Sequence, residues 1–222
     1  MSSLRSRLRA VTRRAGSADS GLSLIELVVA MAIFTIVLGI YFSALISMSR
    51  TTVRAQDTVD ASDALRATFN MMDRQVRYAT SVNRPGQGGS GWWYVEFEAT
   101  DLPEDQPPVC YQWRLDSTNQ VLSFRTWSQD GASTVTPWRG VAWNVESDGG
   151  GAPFVFTQAE GSTLRQSLTV KLRVTGPTTG EVAAQSTTFV ARNSSYKSPS
   201  NLDTNSDGAS DTPVCLTGMD RP

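Results

Sequence analysis

One uninterrupted apolar run near the N-terminus constrains this chain more than any other feature. Residues 27–46 contain no charged side chain and few polar ones. A helix over these residues is about 30 Å long, which matches the hydrocarbon thickness of a bilayer. The run therefore predicts a single membrane-spanning helix.

The distribution of charge orients this helix. Five arginines and one aspartate lie within the first 21 residues, whereas the rest of the chain holds fifteen basic and twenty acidic side chains. The positive-inside bias places the N-terminus in the cytoplasm and everything after Ser47 on the extracytoplasmic side of the cytoplasmic membrane. The acidic body disfavours nucleic-acid binding, which depends mainly on Lys and Arg that neutralise phosphates.

The residue types present argue against an enzyme. The 222 residues include no histidine, the commonest general base and metal ligand. Two cysteines, Cys110 and Cys215, cannot form a zinc site on their own. We therefore expect no catalytic residue and no required cofactor.

A second helical pattern follows the apolar run. Leu65, Phe69, Met72, Val76 and Ala79 recur at spacings of four and three residues, which indicates one face of an amphipathic helix. No Gly or Pro interrupts residues 47–62, so we expect one helix from about Leu24 to about Thr80.

The remaining sequence predicts a β-rich head. After a Gly-rich linker at residues 84–91, segments with period-two alternation are separated by turn clusters. The predicted strands are 92–98, 109–115, 121–127, 139–145, 154–157, 167–174 and 184–192. The apolar face of their sheet needs a cover, for which the Leu65–Ala79 stripe is the obvious candidate.

The expected fold class is therefore α+β: a long N-terminal helix, membrane-spanning and then amphipathic, packed on a mainly antiparallel head. We divide the chain into a basic leader, a transmembrane helix, an amphipathic helix, the head and an irregular tail. These segments cover residues 1–21, 22–46, 47–82, 92–193 and 194–222.

The border of the apolar run carries a specific motif. Gly21-Leu22-Ser23-Leu24-Ile25-Glu26, after a short basic leader, resembles the processing signal of type IV pilins and pseudopilins. The resemblance implies that a prepilin peptidase cuts between Gly21 and Leu22 and methylates the new N-terminal amine. Leu22 stands where phenylalanine or methionine is usual in that family. A plain signal anchor does not predict this motif, and no signal-peptide cleavage site follows the run.

Glu26 is the residue that the motif explains best. A carboxylate in hydrocarbon costs about 2.5 to 3.5 kcal/mol on insertion scales, so it persists only with a partner or a role. A cut after Gly21 creates an ammonium at Leu22, which Glu26 of a neighbouring subunit could meet in a low dielectric. We therefore predict that Glu26 selects the helix register during filament assembly.

A weaker resemblance concerns the subtype. The helix end Phe69–Ala79, with Asp73, Arg74 and Arg77, is similar to that of J-type minor pseudopilins of type II secretion, as is the last strand, 187–193. The alternative interpretation of these three charges is a solvated helix face, which we favour.

Two further sites are predicted in the head and tail. Cys110 and Cys215 face an oxidising exterior and are predicted to form a disulfide, with two inert thiols as the alternative. Asp203, Asn205, Asp207 and Asp211 have calcium-loop spacing with Gly208 at position six, although Val214 stands where a bidentate Glu belongs. Calcium is therefore a second, weaker expectation, and spacing by chance is the alternative.

Two other groups have ordinary explanations. The six tryptophans more often fill a β-domain core or its edge than form a binding platform. Glu96 and Glu98 lie on one strand face, which is commonly the solvated side.

These observations together predict a minor pilin or pseudopilin. Its partners would be the prepilin peptidase, other pilin subunits and the membrane, within a type IV pilus or a type II secretion pseudopilus. The alternatives are a filament-tip adhesin, a DNA-uptake receptor and a membrane-tethered enzyme.

Overall fold

The computed structural model describes residues 23–100, 107–129 and 134–222. The described residues divide into two compact units, with the boundary after Arg50. In the first unit the chain is helical from Leu24, and its apolar side chains are exposed. The second unit contains the rest of that helix, which we call α1 (Leu24–Arg77), and the β-rich head.

The head part of α1 buries one face. Its buried apolar residues follow the predicted spacing and are Ala61, Leu65, Phe69, Met72 and Val76. The predicted helix start at Leu24 is confirmed. The helix ends at Arg77, however, and not near Thr80, because residues 79–82 form a strand. The predicted amphipathic segment 47–82 is therefore wrong over its last residues.

Ten strands follow α1 in the described residues. Eight of them correspond in position to the seven predicted segments, since the predicted 139–145 strand is split in two, and the two short strands β1 and β2 were not predicted. In chain order they are β1 (Ala79–Val82), β2 (Gly86–Gln87), β3 (Trp93–Ala99), β4 (Val109–Asp116), β5 (Val121–Ser128), β6 (Arg139–Trp143), β7 (Val145–Ser147), β8 (Phe154–Thr157), β9 (Ser167–Thr175) and β10 (Val182–Val190). The Gly-rich residues 84–91, expected to be only a linker, contribute β2.

The strands form two antiparallel sheets. The first has the order β1-β3-β4-β5-β6, with β2 also paired to β3. The second has the order β10-β9-β7, with β8 also paired to β9. Because β1 pairs with β3 directly after the helix, the first sheet begins where α1 ends.

The core lies between the buried face of α1 and the sheets. Leu168, Val170, Leu172 and Val174 alternate inward along β9, as predicted, and share one apolar cluster with the helix stripe. Trp113 of β4 is fully buried and donates its indole N–H to the Gln75 amide oxygen at 2.8 Å. The predicted α+β fold, with the long helix packed on antiparallel sheets, is confirmed.

The segment after β10 is irregular but packs closely on the head. Its regular elements are two 3-10 turns, Pro199–Asn201 and Leu216–Gly218. Asn83 exchanges two hydrogen bonds of 2.9 Å with the backbone of Val214. Buried polar contacts of this kind hold a segment that has too few apolar residues to fold alone.

Candidate functional site

The first unit presents a continuous apolar surface. Side chains on all sides of the helix between Leu24 and Met48 are exposed, among them Leu24 at 80 % and Ile40 at 65 %. This helix is long and apolar enough to cross a membrane, and none of its most apolar window is buried. A soluble surface rarely carries such a patch, so lipid or other helices are its natural surroundings.

Glu26 lies in the first turn of α1 and is exposed. Its carboxylate has no hydrogen bond or ion pair with any residue that the structure describes. A carboxylate in the first turn of a helix also interacts favourably with the helix dipole, which is worth less than about 1 kcal/mol. That benefit is smaller than the cost of placing the charge in hydrocarbon, so the helix dipole alone does not account for Glu26.

The predicted cleavage residues Gly21 and Leu22 lie outside the described residues. The helix begins two residues after Leu22, and its first bond in this region runs from the Leu27 N–H to the Ser23 carbonyl at 3.1 Å.

Comparison with known families finds one matching motif. The family model for the prokaryotic N-terminal methylation motif matches residues 16–42. This match supports a type IV pilin-like N-terminal segment. The match covers the predicted cleavage site, Glu26 and most of the apolar run, whereas residues 43–222 lie outside it. No curated protein and no solved structure matches the chain.

The head contains a disulfide between Cys110 of β4 and Cys215 of the C-terminal segment. The two Cα atoms are 5.7 Å apart and 105 positions apart in sequence. Trp127 and Val214 complete a small buried cluster around the bond. The bond therefore fixes the C-terminal segment to the outer face of the first sheet.

The calcium-loop residues are close in sequence but already have partners. Both Asp203 carboxylate oxygens accept backbone N–H groups, from Asp207 and Gly208, and the Asp211 carboxylate accepts from Thr204. The Asp203 carboxylate is also 3.7 Å from the Arg84 guanidinium. Among the described residues, no group of three or more His, Cys, Asp or Glu could hold a metal ion. Calcium binding here stays a prediction.

The structure corrects the interpretation of Glu96. Its side chain is fully buried, whereas the sequence predicted the solvated side of a strand. Arg221 forms an ion pair with it, with a 3.0 Å hydrogen bond from Nε, and Gln112 donates to it at 2.8 Å. The C-terminal segment crosses this face of the sheet and brings Arg221 with it. No local pattern in the sequence could reveal that contact, because the two residues are 125 positions apart.

The tryptophans are divided between core and surface. Trp113 and Trp127 are buried, whereas Trp143 is 61 % exposed. Trp92 and Trp138 contact the Arg114 guanidinium, which lies 4.7 and 4.1 Å from their ring centroids. These cation–π contacts stabilise the outer face of the first sheet.

The charged side chains at the end of α1 lie on a partly exposed helix face. Asp73 and Arg77 form an ion pair one turn apart, and both side chains are more than a third exposed. Such exposed pairs contribute little to stability. Nothing in these contacts distinguishes a J-type subunit from any other.

A buried carboxylate on α1 was not predicted. Asp57 accepts the Thr179 hydroxyl at 2.8 Å and the Thr178 N–H at 3.1 Å, and it also accepts the Thr179 N–H. The Thr179 hydroxyl, with these backbone bonds, lowers the pKa of Asp57 below its usual value, although burial opposes the shift. The contact attaches the turn between β9 and β10 to the helix.

Proposed function

We propose that this chain is a minor pilin or pseudopilin, a structural subunit of a type IV pilus or of a type II secretion pseudopilus. The methylation motif at residues 16–42 carries the proposal. It lies on a helix whose apolar side chains are exposed all round, and such a helix can be stored in the membrane and later buried among equivalent helices. The motif favours a structural subunit over an enzyme.

In this proposal the N-terminal segment is processed before assembly. Prepilin peptidase cuts between Gly21 and Leu22 and releases the arginine-rich leader. The remaining N-terminus is an ammonium four residues before Glu26. A helix rises about 6 Å over four residues, so Glu26 of one subunit reaches the N-terminus of a neighbour displaced along the helix axis by that amount.

The ion pair would select one helix register between neighbouring subunits, because each charge is unfavourable in hydrocarbon without the other. Each charge in hydrocarbon loses its hydration, and a facing opposite charge offsets much of that loss. Subunits in any other register would leave Glu26 unpaired. Other pilin subunits, the peptidase and the membrane are therefore the partners that the proposal requires, with the head on the extracytoplasmic side.

The test is a set of substitutions at Glu26. In Glu26→Ala, membrane insertion and leader cleavage should remain normal, while incorporation into sheared filaments should fall about tenfold or more, which corresponds to about 1.4 kcal/mol. Glu26→Gln should behave like Glu26→Ala, because the charge and not the size of the side chain is required. Immunoblots of the sheared and membrane fractions measure the ratio of filament-incorporated protein to protein that remains in the membrane.

Asp60→Ala is the matched control, since Asp60 is an exposed acid on the same helix beyond the apolar run. It should assemble normally. Mass spectrometry of the mature protein should give an N-terminus at Leu22. An intact leader on assembled protein, or normal incorporation of Glu26→Gln, would refute the proposal.

A further inference from the structure

The second sheet ends in a strand edge that pairs with no strand in the part of the chain that the structure describes. β10 is the terminal strand in the order β10-β9-β7. All nine of its residues, Val182–Val190, are in register with β9 on one side. An edge of this length is unusual, because native proteins commonly protect edges with charges, proline or short strands. The sequence VAAQSTTFV contains neither a charge nor a proline.

The hydrogen bonds that flank the strand show which backbone groups face outward. Gly176 donates to the Glu181 carbonyl at 2.7 Å, and Ala191 donates to the Gln166 carbonyl at 3.0 Å. In an antiparallel ladder such bonded pairs recur at every second residue. The odd-numbered residues of β10 therefore bond to β9. The N–H and C=O groups of the even-numbered residues point away from the sheet, at Val182, Ala184, Ser186, Thr188 and Val190.

One contact confirms this direction. The next even-numbered residue, Arg192, donates its N–H to the Arg77 carbonyl at the end of α1, at 3.0 Å. None of the five outward-facing residues within β10 has a backbone hydrogen bond to a described residue on this side. The side chains of the same five residues are exposed.

Part of this edge borders open space. An open depression of about 350 Å³ lies between α1 and β10. Its lining residues are Ser62, Leu65, Arg66, Ala183, Ala184 and Gln185. Side chains of an added strand would alternate between this depression and the exposed face of the sheet, since successive residues point to opposite faces.

We propose that the β10 edge binds an extended, uncharged strand of a partner protein, which continues the second sheet. Only a polypeptide in extended conformation offers alternating N–H and C=O groups at the spacing of this edge. Its facing residues are neutral because β10 has no charge to pair with them.

Concentration-dependent self-association of the full chain in detergent micelles, without peptide, would overturn the proposal in favour of a second copy of β10 as the occupant.

A peptide with the β10 sequence, VAAQSTTFV, is a suitable probe. Paired antiparallel about Ser186, it places an outward-facing residue of the peptide opposite each outward-facing residue of the strand. The labelled peptide is titrated into the full chain in detergent micelles, and fluorescence anisotropy measures binding. We expect saturable binding to the unsubstituted protein.

The deciding variant is Ser186→Pro. It removes an outward N–H and leaves the β9 ladder complete, so it should weaken peptide binding about tenfold or more while the head stays folded by circular dichroism. Ser186→Ala, which keeps the N–H, should bind within about twofold of the unsubstituted protein. Equal binding by the proline and alanine variants, or no saturable binding at all, would overturn the proposal.

Hydrogen exchange gives a second measurement that needs no variant. Without peptide, the five outward-facing amides should exchange faster than the inward amides of Ala183, Gln185 and Thr187. Saturating peptide should slow the outward amides at least tenfold and leave the inward ones unchanged. Unchanged exchange at the outward amides would contradict the proposal even if the Ser186→Pro variant failed to fold. Neither measurement depends on filament assembly, so the two proposals fail separately.

Discussion

One ion pair on the outer face of the first sheet joins residues that are 125 positions apart in the sequence. Glu96 is fully buried and its partner Arg221 is partly exposed. Removing one member of a buried pair leaves an uncompensated charge, whereas exposed pairs contribute little. The chain offers both kinds, because Arg173 and Glu146 form an ion pair in which both side chains are more exposed.

The first prediction compares these two pairs. Arg221→Ala should lower the free energy of unfolding by about 3 kcal/mol, because it leaves the buried Glu96 carboxylate without its cationic partner. Arg173→Ala should cost less than about 1 kcal/mol. Urea unfolding of both variants in the same detergent measures the difference. If Glu96→Gln in the Arg221→Ala background recovers none of the loss, the buried charge is not its cause.

Glu96 also shows where prediction from sequence ends at the residue scale. Its position on a strand face could be read from alternation, but its burial depends on a segment more than 120 residues away. Asp57 is a similar case, since its partners lie in a distant turn. Glu26 was recognisable because its surroundings, an apolar run and a glycine, are adjacent in the sequence.

At the scale of elements, the helix stripe was predictable and its end was not. Leu65, Phe69, Met72 and Val76 follow helical spacing and are buried. Ala79 continues the same spacing, yet it belongs to β1 and pairs with Ala99. Pairing with β3 overrides the helical period there, and periodicity contains no information about such pairing.

The second prediction uses two valines on α1. Val76 is fully buried in the head core, whereas Val59 is 51 % exposed. Val76→Ala should lower the free energy of unfolding by about 2 kcal/mol, because it removes two buried methyl groups and leaves a cavity. Val59→Ala removes the same atoms from a solvent-exposed position and should change the free energy of unfolding by less than about 0.5 kcal/mol. Equal effects in urea unfolding would mean that α1 does not pack on the sheets as described.

At the scale of the whole molecule, the C-terminal segment is held to the head by several independent contacts. Cys215 forms the disulfide with Cys110, and the neighbouring Val214 is hydrogen-bonded to Asn83. Nearer the end of the segment, Arg221 forms an ion pair with Glu96. Composition alone predicted an irregular tail, which is correct for its backbone. Its close packing depends on polar contacts and one covalent bond, which composition does not reveal.

The third prediction concerns that covalent bond. Closing a loop of about 105 residues restricts the unfolded chain and stabilises the fold by about 4 to 5 kcal/mol on the chain-entropy model. Reduction should therefore lower the melting temperature markedly and expose Trp127, which packs against the bond and against Gly218. Tryptophan fluorescence during thermal unfolding, with and without dithiothreitol, follows both changes. A Cys110→Ala, Cys215→Ala double variant should melt at the temperature of the reduced protein, and dithiothreitol should not change its melting temperature. A double variant as stable as the oxidised protein would show that the disulfide contributes nothing to stability. The polar contacts alone would then hold the C-terminal segment to the head.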